Sequence, residues 1–335
     1  MVESFLKKLF IQATYFGFLE TIRLYEKNTC EISLLSGENI SRGRKRKRKE
    51  VSFSIRYLKH EVPSLYAKAR ALQGSKAKLE GRLRKSRDKL LSKKSWPALP
   101  NERPLIAIAD AAIHFVEGSF YTFYFILIRK NNENYSLVAE PYIRKGSEVA
   151  DGWYEAFNRL PASTRNAIIA LVCDGHGGLT SVAKKQKWIL QRYQFHLIAR
   201  LQSRRSKWKF SRHREEGQKI YQFVKEILES TDNNKIQHNL AELKKIALAP
   251  VSSRELKTTL IGFSKHYHDY RSYIYYPELN LPKTSNAVES LIGGIRNLCH
   301  RARGFRTLNS LKKWIHAFLK NKQKFKCNGH NFQPN

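Results

Sequence analysis

Three carboxylates of the chain have the surroundings of a metal site assembled from separate structural elements. Asp110 interrupts the apolar run 105–115, Asp174 follows the apolar run 167–173, and Glu289 stands near the start of a helical pattern. A charge inside an apolar strand costs free energy unless it is paired or binds a cation. Carboxylate oxygens suit Mg²⁺, and two such ions held about 3.5–4 Å apart promote in-line displacement at phosphorus. The three residues therefore point to phosphoryl transfer.

Each carboxylate also has a simpler explanation. A neighbouring Lys or Arg could neutralise Asp110, and Asp174, which precedes Gly-His-Gly-Gly, could bond to its own turn backbone. Glu289 stands three residues after Asn286, the spacing of a capping box. Helical spacing, however, places Glu289 on one polar face with Gly293, Arg296, His300 and Arg303, beside an apolar stripe of Leu291, Ile295, Leu298 and Ala302. Both interpretations of Glu289 stay open.

The charge balance favours nucleic acid as the partner. The 335 residues include 62 Lys and Arg against 28 Asp and Glu, which gives a formal net charge of +34. A positive charge of this size needs an anionic partner, for which nucleic acid is the usual choice. It excludes an acidic partner-binding protein and most enzymes of small metabolites. A hydrophobic content of 41% is enough to bury a core.

Cysteine usage and hydropathy favour a reducing, intracellular compartment. The four cysteines form no CxxC pair, which argues against a disulfide framework and against a zinc ribbon built from cysteines. The apolar segment 5–22 is broken by charged residues and has no cleavage site, so we expect no signal peptide. No stretch approaches about 18 uncharged apolar residues, so we expect no membrane span or membrane partner. The expected location is cytoplasmic and nucleoid-associated.

The first 98 residues are basic and mainly helical in pattern. The run 41–49 (SRGRKRKRK) cannot pack in a core. Apolar residues then recur at intervals of three or four over 51–94, with Lys and Arg between them. The pattern is typical of a DNA-binding region, although a solvated helix face would explain it too. The candidate DNA contacts here are Arg44, Lys45, Arg46, Lys47 and Arg48.

The segment after Pro104 changes to a sheet pattern. Three runs rich in β-branched and aromatic residues predict consecutive antiparallel strands at 105–115, 120–128 and 135–143. A helix over 147–160 with Ser147 as its cap, a buried strand over 167–173 and a strand-like run over 188–195 follow. This order predicts a mixed sheet with helices against it. Later residues are helical in pattern, including a long helical stretch from about 197 to 264.

Three motifs carry a resemblance to a known family. They are VCDGHGGL (172–179), RYQFHLI (192–198) and TSNAVESLIGGIRNLCHRARGF (284–305). Together with Asp110, they resemble the Mutator-like transposases of bacterial insertion sequences over roughly residues 105–319. The intervals from Asp110 to Asp174 and on to Glu289, 64 and 115 residues, leave room for a helical insertion in the second.

The resemblance implies an α/β fold: an RNase H-like mixed sheet with flanking helices, interrupted by an all-α insertion, plus the basic helical N-terminal region. The implied domains are a DNA-binding region (1–98), the first part of the catalytic domain (99–196), the insertion (197–280), C-terminal helices that complete the catalytic domain (281–325) and a tail (326–335).

The resemblance also implies a chemistry and its residues. Asp110, Asp174 and Glu289 would be the catalytic triad and the ligands of two Mg²⁺ ions, for which Mn²⁺ could substitute. The substrate would be double-stranded DNA, both transposon ends and target, handled by a homodimer or higher oligomer. Their positions after Glu289 on the same helix also suit four residues for holding phosphates, Arg296, His300, Arg301 and Arg303, although a solvated basic face would explain them too. The candidates for lining the site are His114, His176, His196 and Asn286.

Two features depart from the family pattern. The usual Cys-x-x-His pair is here Tyr193-Gln-Phe-His196, and a tyrosine cannot replace a thiolate as a soft metal ligand, so we predict no zinc there. No zinc ribbon or helix-turn-helix is visible near the N-terminus. Two other functions therefore stay open: a transposase-derived DNA-binding protein that does not cleave, and a basic RNA-binding or ribosome-associated protein.

Overall fold

The computed structural model of the chain describes residues 76–207, 214–249, 254–283, 286–302 and 304–327. The predicted cationic run with Arg44, Lys45, Arg46, Lys47 and Arg48 lies outside the described residues, as does Arg303. Across the described ranges, no helix is long and apolar enough to cross a membrane.

A seven-stranded mixed sheet forms the centre of the described chain. Its strands are β1 (Leu105–Val116), β2 (Ser119–Lys130), β3 (Tyr135–Val138), β4 (Tyr142–Lys145), β5 (Ile168–Cys173), β6 (Ile189–Arg192) and β7 (Lys324–Lys326). The spatial order is β6-β5-β1-β2-β3-β7, and β4 also pairs with β2. Strands β1, β5 and β6 are parallel, whereas β1–β2, β2–β3, β2–β4 and β3–β7 are antiparallel. The mixed sheet confirms the predicted α/β class.

Strands β1 and β2 form a hairpin that is closed by a tight turn. Val116 pairs with Ser119 across a two-residue turn of Glu117 and Gly118. Both turn residues have positive φ angles, 53° and 69°, the conformation of a tight hairpin turn that matches strand twist. The predicted third strand is divided, because β3 and β4 pair with separate stretches of β2.

Helices cover both faces of the sheet and bury two apolar cores. On one face lie α1 (Lys76–Lys93), α10 (Asn286–Ala302) and α11 (Leu308–Asn321), which pack on the even-numbered residues of β1 such as Ile106 and Ile108. The other face carries α2 (Ala150–Asn158), α3 (Ala162–Ala167) and α4 (Gly177–Gln186), around Leu105 and Ala107.

The prediction that Ser147 caps helix α2 is wrong. Helix α2 begins at Ala150 with Val149 as its N-cap residue and without a side-chain cap bond, so Ser147 does not cap it. The Val149 N–H instead donates to the Tyr124 hydroxyl of β2 at 3.2 Å. A tertiary contact with the sheet therefore sets this helix start.

A helical insertion with its own core lies between β6 and α10. It contains α5 (Gln194–Lys207), α6 (Arg214–Glu229), α7 (Asn233–Leu248), α8 (Arg254–His266) and the short α9 (Ser272–Tyr275). Buried residues such as Val224, Leu243 and Leu260 form a cluster separate from the two cores of the sheet. Its two ends meet, because the Gln194 N–H donates to the Lys283 carbonyl at 3.0 Å.

A buried arginine fastens the returning chain to the sheet. Arg129 of β2 is 0% exposed. Its guanidinium donates to the carbonyl oxygens of Leu279 (3.3 Å) and Asn280 (2.6 Å). Asn131 adds a bond from its side-chain amide to the Glu278 carbonyl at 2.6 Å. The segment that leads into α10 is thereby held against β2.

Candidate active site

The parallel pairing of β1 with β5 brings the first two carboxylates to one level of the sheet. Ile108 pairs with Val172, and Asp110 and Asp174 each follow two residues later. Asp110 accepts a hydrogen bond from the Ala111 N–H at 2.7 Å. Asp174 accepts one from the His176 N–H at 2.8 Å, so the turn interaction considered for it is present. This bond occupies one carboxylate oxygen, Oδ1, within the turn.

The electrostatic surroundings of Asp110 are unusual for a carboxylate. Burial, and then the charge of Asp174, raise its pKa from 3.8 to about 7, with smaller contributions from Glu148 and Glu289 in the same direction. Among the described residues, Asp110 forms no ion pair with a Lys or Arg. Within the described part of the chain, no basic neighbour therefore neutralises Asp110, which was the simpler explanation considered for it. Burial and three nearby carboxylates thus act together on Asp110.

Helix α10 presents Glu289 from the face that covers β1. The helix buries Ala287, Val288, Leu291, Ile292, Ile295 and Leu298, which confirms the apolar stripe at Leu291, Ile295 and Leu298. Glu289 is in the first turn, and its Oε1 lies 3.8 Å from Nε2 of His196 at the start of α5. His196 therefore lies beside a predicted catalytic residue. Arg296 and His300 are exposed further along α10, and Arg301 is partly buried.

The other predicted site-lining residues occupy different positions. His176 caps α4, because its Nδ1 accepts the Gly178 N–H at 3.2 Å. His114 shares the sheet face of Asp110, packs edge-on against Phe123 and has Nδ1 at 4.0 Å from Sγ of Cys299. Burial, and then the charge of Arg296, lower the His114 pKa. Asn286 is the first residue of α10.

Tyr193, which stands where the Mutator-like transposases usually have cysteine, is buried against β1 and β5. Its side chain is 1% exposed. The hydroxyl is placed to donate to the carbonyl oxygens of Ala109 (3.3 Å) and Val172 (3.2 Å), one on β1 and one on β5. These acceptors lie just before Asp110 and Asp174 in the chain. Tyr193 thus bridges the two strands that carry the first two carboxylates, a role that residue type alone does not reveal.

We expect Tyr193→Phe to lower the free energy of unfolding by about 1 kcal/mol, since one buried hydroxyl serves two buried carbonyls. Urea unfolding followed by circular dichroism measures the change. Tyr154→Phe is the matched control, because that hydroxyl bonds Ser181 at the exposed surface. Equal losses in the two variants would contradict the bridging role.

Glu148 is a fourth carboxylate, which no sequence pattern singled out. It precedes α2, and its Oε1 accepts the indole N–H of Trp153 at 2.8 Å and lies 3.1 Å from Nδ1 of His176. Burial is the main reason that its pKa is raised, and the charge of Asp174 contributes. A glutamate near a helix start has no sequence signal that separates such a role from ordinary capping.

The donor set suits a hard divalent cation in its chemistry. Asp110, Asp174 and Glu289 offer only carboxylate oxygens, the ligands that Mg²⁺ and Mn²⁺ accept. Burial is the main cause of the raised Asp110 pKa, and the negative charge of Asp174 adds to it. Within the described ranges, however, no group of three or more His, Cys, Asp or Glu residues is arranged closely enough to hold a metal ion.

Comparison with known proteins identifies the family. The family model described as "Transposase, Mutator family" matches residues 142–327, just over half of the chain. The match includes Asp174 and Glu289, while Asp110 lies upstream of it. A search of curated proteins found no match. The matched span runs from β4 to the end of the described chain, and on this evidence the chain belongs to the Mutator family of transposases.

Proposed function

We propose that this transposase binds transposon ends and catalyses metal-dependent DNA strand cleavage and strand transfer through Asp110, Asp174 and Glu289. The observation that carries the proposal is that two paired parallel strands place Asp110 and Asp174 at the same height along the sheet. Glu289 lies on the helix that covers the same face. Membership of the Mutator family supports a DNA-cleaving and strand-transferring enzyme in general.

The strand order supports an RNase H-like catalytic domain. Three antiparallel strands, β3-β2-β1, are followed in space by two parallel ones, β5 and β6. The carboxylates of the proposed triad would come from the centre of this sheet and from a covering helix. In this proposal, residues 1–98 are the DNA-binding region, 99–196 and 281–325 form the catalytic domain, 197–280 are the insertion, and 326–335 are a tail. The first tail residue, Lys326, still pairs with Tyr135 at the end of β7.

The chain's own residues have distinct roles in the proposed reaction. Asp110, Asp174 and Glu289 would hold two Mg²⁺ ions, or Mn²⁺ in their place. Bound divalent ions would activate the attacking water or 3′-hydroxyl and stabilise the leaving oxygen. The Asp110 carboxylate is partly buried, and the Tyr193 hydroxyl bonds the strands that lead to Asp110 and Asp174. His196 lies beside Glu289, with Nε2 3.8 Å from its Oε1, so a protonated His196 would attract that carboxylate.

Two basic surfaces are proposed to contact DNA phosphates. The first is the polar side of α10, with Arg296, His300 and Arg301, and the proposal extends to Arg303 and to the cationic run at 41–49. The second is a groove between the C-terminal ends of α1 and α11, lined by Lys93, Lys94, Lys320, Lys322 and Lys324. Among the described residues, none of these five lysines forms an ion pair.

Arg296→Gln is expected to reduce the salt dependence of DNA binding. Each phosphate contact contributes about 0.9 to the slope of log K against log salt on duplex DNA, so the slope should fall by roughly one unit. Fluorescence anisotropy between about 50 and 200 mM salt measures it. Lys257→Gln on the exposed side of α8 is the matched control. An unchanged slope for Arg296→Gln would remove this residue from the interface.

The proposed activity is tested by strand cleavage and joining on DNA that carries the sequences flanking this gene. We expect nicks at the transposon ends in the presence of Mg²⁺ or Mn²⁺, and none with EDTA. Joined products should form when target DNA is added. A folded chain that binds these ends and cuts nothing with either metal would contradict the proposal. Sedimentation of the DNA complex tests the proposed homodimer or higher oligomer.

One observation favours a second candidate, a transposase-derived DNA-binding protein that does not cleave. The three carboxylates are not arranged as a metal cluster in the described part of the chain. A chain of this kind would bind DNA with the same steep salt dependence and would show no difference in binding between Mg²⁺ and EDTA. The cleavage assay separates the two functions. Cytoplasmic location at the nucleoid is proposed for both.

A further inference from the structure

The turn that carries Asp174 is built against the start of α2. Asp174 accepts the His176 N–H, which closes the turn. Nδ1 of His176 lies 3.2 Å from the Gly178 N and 3.1 Å from Oε1 of Glu148, and it accepts the Gly178 N–H in the tautomer without a proton on Nδ1 and donates to Glu148 in the other. The turn and the start of α4 therefore form a unit around the His176 ring. Gly178 approaches α2 closely: a Cβ added to it would lie 2.9 Å from Cα of Ala150 and 3.0 Å from Cδ1 of Trp153. The turn therefore has little room to move toward α2.

Glu148 connects this unit to α2 and to the core. Its Oε1 lies 3.1 Å from Nδ1 of His176 and accepts the indole N–H of Trp153, whose side chain is 0% exposed. Trp153 packs edge-on against Tyr124 of β2 with ring centroids 4.9 Å apart. The Val149 N–H next in the chain donates to the Tyr124 hydroxyl. The position of Glu148 is thus fixed by the bond from the buried Trp153 indole and by the bond from the adjacent Val149 N–H to Tyr124 of β2.

We infer that Glu148 is a positioning residue, whose carboxylate holds the His176 ring and through it the turn that places Asp174. This inference rests on the proposed function, because it treats Asp174 as catalytic. Glu148 itself is not assigned a contact with DNA or metal. Its effect on the reaction is transmitted through His176, whose Nδ1–H donates to Glu148 while its backbone N–H donates to Asp174.

Hydrogen exchange of the full chain tests the inference without relying on activity. In Glu148→Ala we expect the amide of His176 to exchange at least about tenfold faster than in the wild type, because local opening of the turn becomes easier. Glu148→Gln keeps an oxygen for the Trp153 indole and a polar group for the His176 ring, and should stay within about threefold of the wild type. The amides of Asn234 and Lys235, capped by Asp232 in the insertion, are the internal control.

A double-mutant cycle makes the result specific to the Glu148–His176 contact. Asn at position 176 can still cap α4 but is too short to reach Glu148, so His176→Asn should loosen the turn about as much as Glu148→Ala. The double variant should exchange no faster than either single variant, since coupled residues are not additive. If Glu148→Ala does not fold, His176→Asn compared with the wild type decides the question.

Cleavage kinetics link the positioning to the reaction. We expect Glu148→Ala to lower kcat about tenfold with little change in the KM for DNA, and Glu148→Gln to restore most of it. A wild-type exchange rate at the His176 amide in Glu148→Ala would overturn the inference, whatever the cleavage result. Faster exchange in a chain whose wild type cuts no DNA would support the positioning role and contradict the proposed function, so the two failures are distinguishable.

Discussion

Asp174→Asn is expected to slow metal-dependent strand cleavage by at least about 10³-fold, equivalent to roughly 4 kcal/mol of transition-state stabilisation. Asparagine keeps an oxygen that can accept the His176 N–H, so the turn should persist while one negative charge is lost. Glu289→Gln should have an effect of similar size, because each carboxylate would be a cation ligand. Single-turnover cleavage of end-containing DNA at saturating enzyme, with Mg²⁺ and with Mn²⁺, measures the rates.

The control for this loss is an acid outside the candidate site. Glu140→Gln removes an exposed carboxylate between β3 and β4 and should cleave at the wild-type rate. DNA affinity should not fall in any of the three variants, since each removes negative charge from a strongly cationic protein. Cleavage by Asp174→Asn within a few-fold of the wild-type rate would remove Asp174 from the catalytic residues.

The largest expected effect on stability concerns Asp110. Its pKa is raised by burial and by Asp174, from 3.8 to about 7 in the folded chain, so the folded state binds more protons than the unfolded state between these values. Stability without divalent ions should therefore fall as the pH rises from about 4 to 7. Because a tenfold change in a proton-binding constant corresponds to about 1.4 kcal/mol, the total loss is limited to roughly 4 kcal/mol.

Asp110→Asn should remove most of this pH dependence. In EDTA, the variant should be more stable than the wild type at pH 8 and similar to it near pH 4, as measured by urea unfolding. Mg²⁺ should stabilise the wild type at pH 8 and have a smaller effect on the variant. Glu140→Gln serves again as the control. A wild-type stability that rises between pH 5 and 8 in EDTA would contradict the raised Asp110 pKa.

Local residue patterns were sufficient to predict β1, β2, β5 and β6, with Asp110 within β1 and Asp174 directly after β5, but not β7, which lies where helices and a tail were predicted. The runs around Asp110 and before Asp174 contain enough β-branched and apolar residues to define strands, and Asp174 ends the second run. Parallel pairing then places the two residues at one level. The apolar stripe of α10 follows from helical spacing, which also predicts that Arg296 and His300 are exposed.

Features that depend on distant contacts were not predictable from these patterns. Glu148 acquires its partners Trp153 and His176 only when α2 and α4 pack together, and a lone glutamate before a helix has no periodic signal. Ser147 has the residue type of a cap, but the bond between Val149 and Tyr124 starts the helix elsewhere. Tyr193 is part of a strand-like run whose pattern does not reveal that its hydroxyl spans β1 and β5.

The meeting of Gln194 with Lys283 has a consequence for how relatives of this chain can differ. The helical insertion begins and ends at one hydrogen-bonded point, and α5 to α8 share a core of their own, while residues 270–273 also bond β6. The entropy of closing a loop grows only slowly with its length, so helices could be added or removed there at little cost to the rest of the fold. Arg129 would still hold the returning segment, and Glu289 would keep its place. The helical insertion can therefore vary in length among relatives while the positions of the three carboxylates are unchanged.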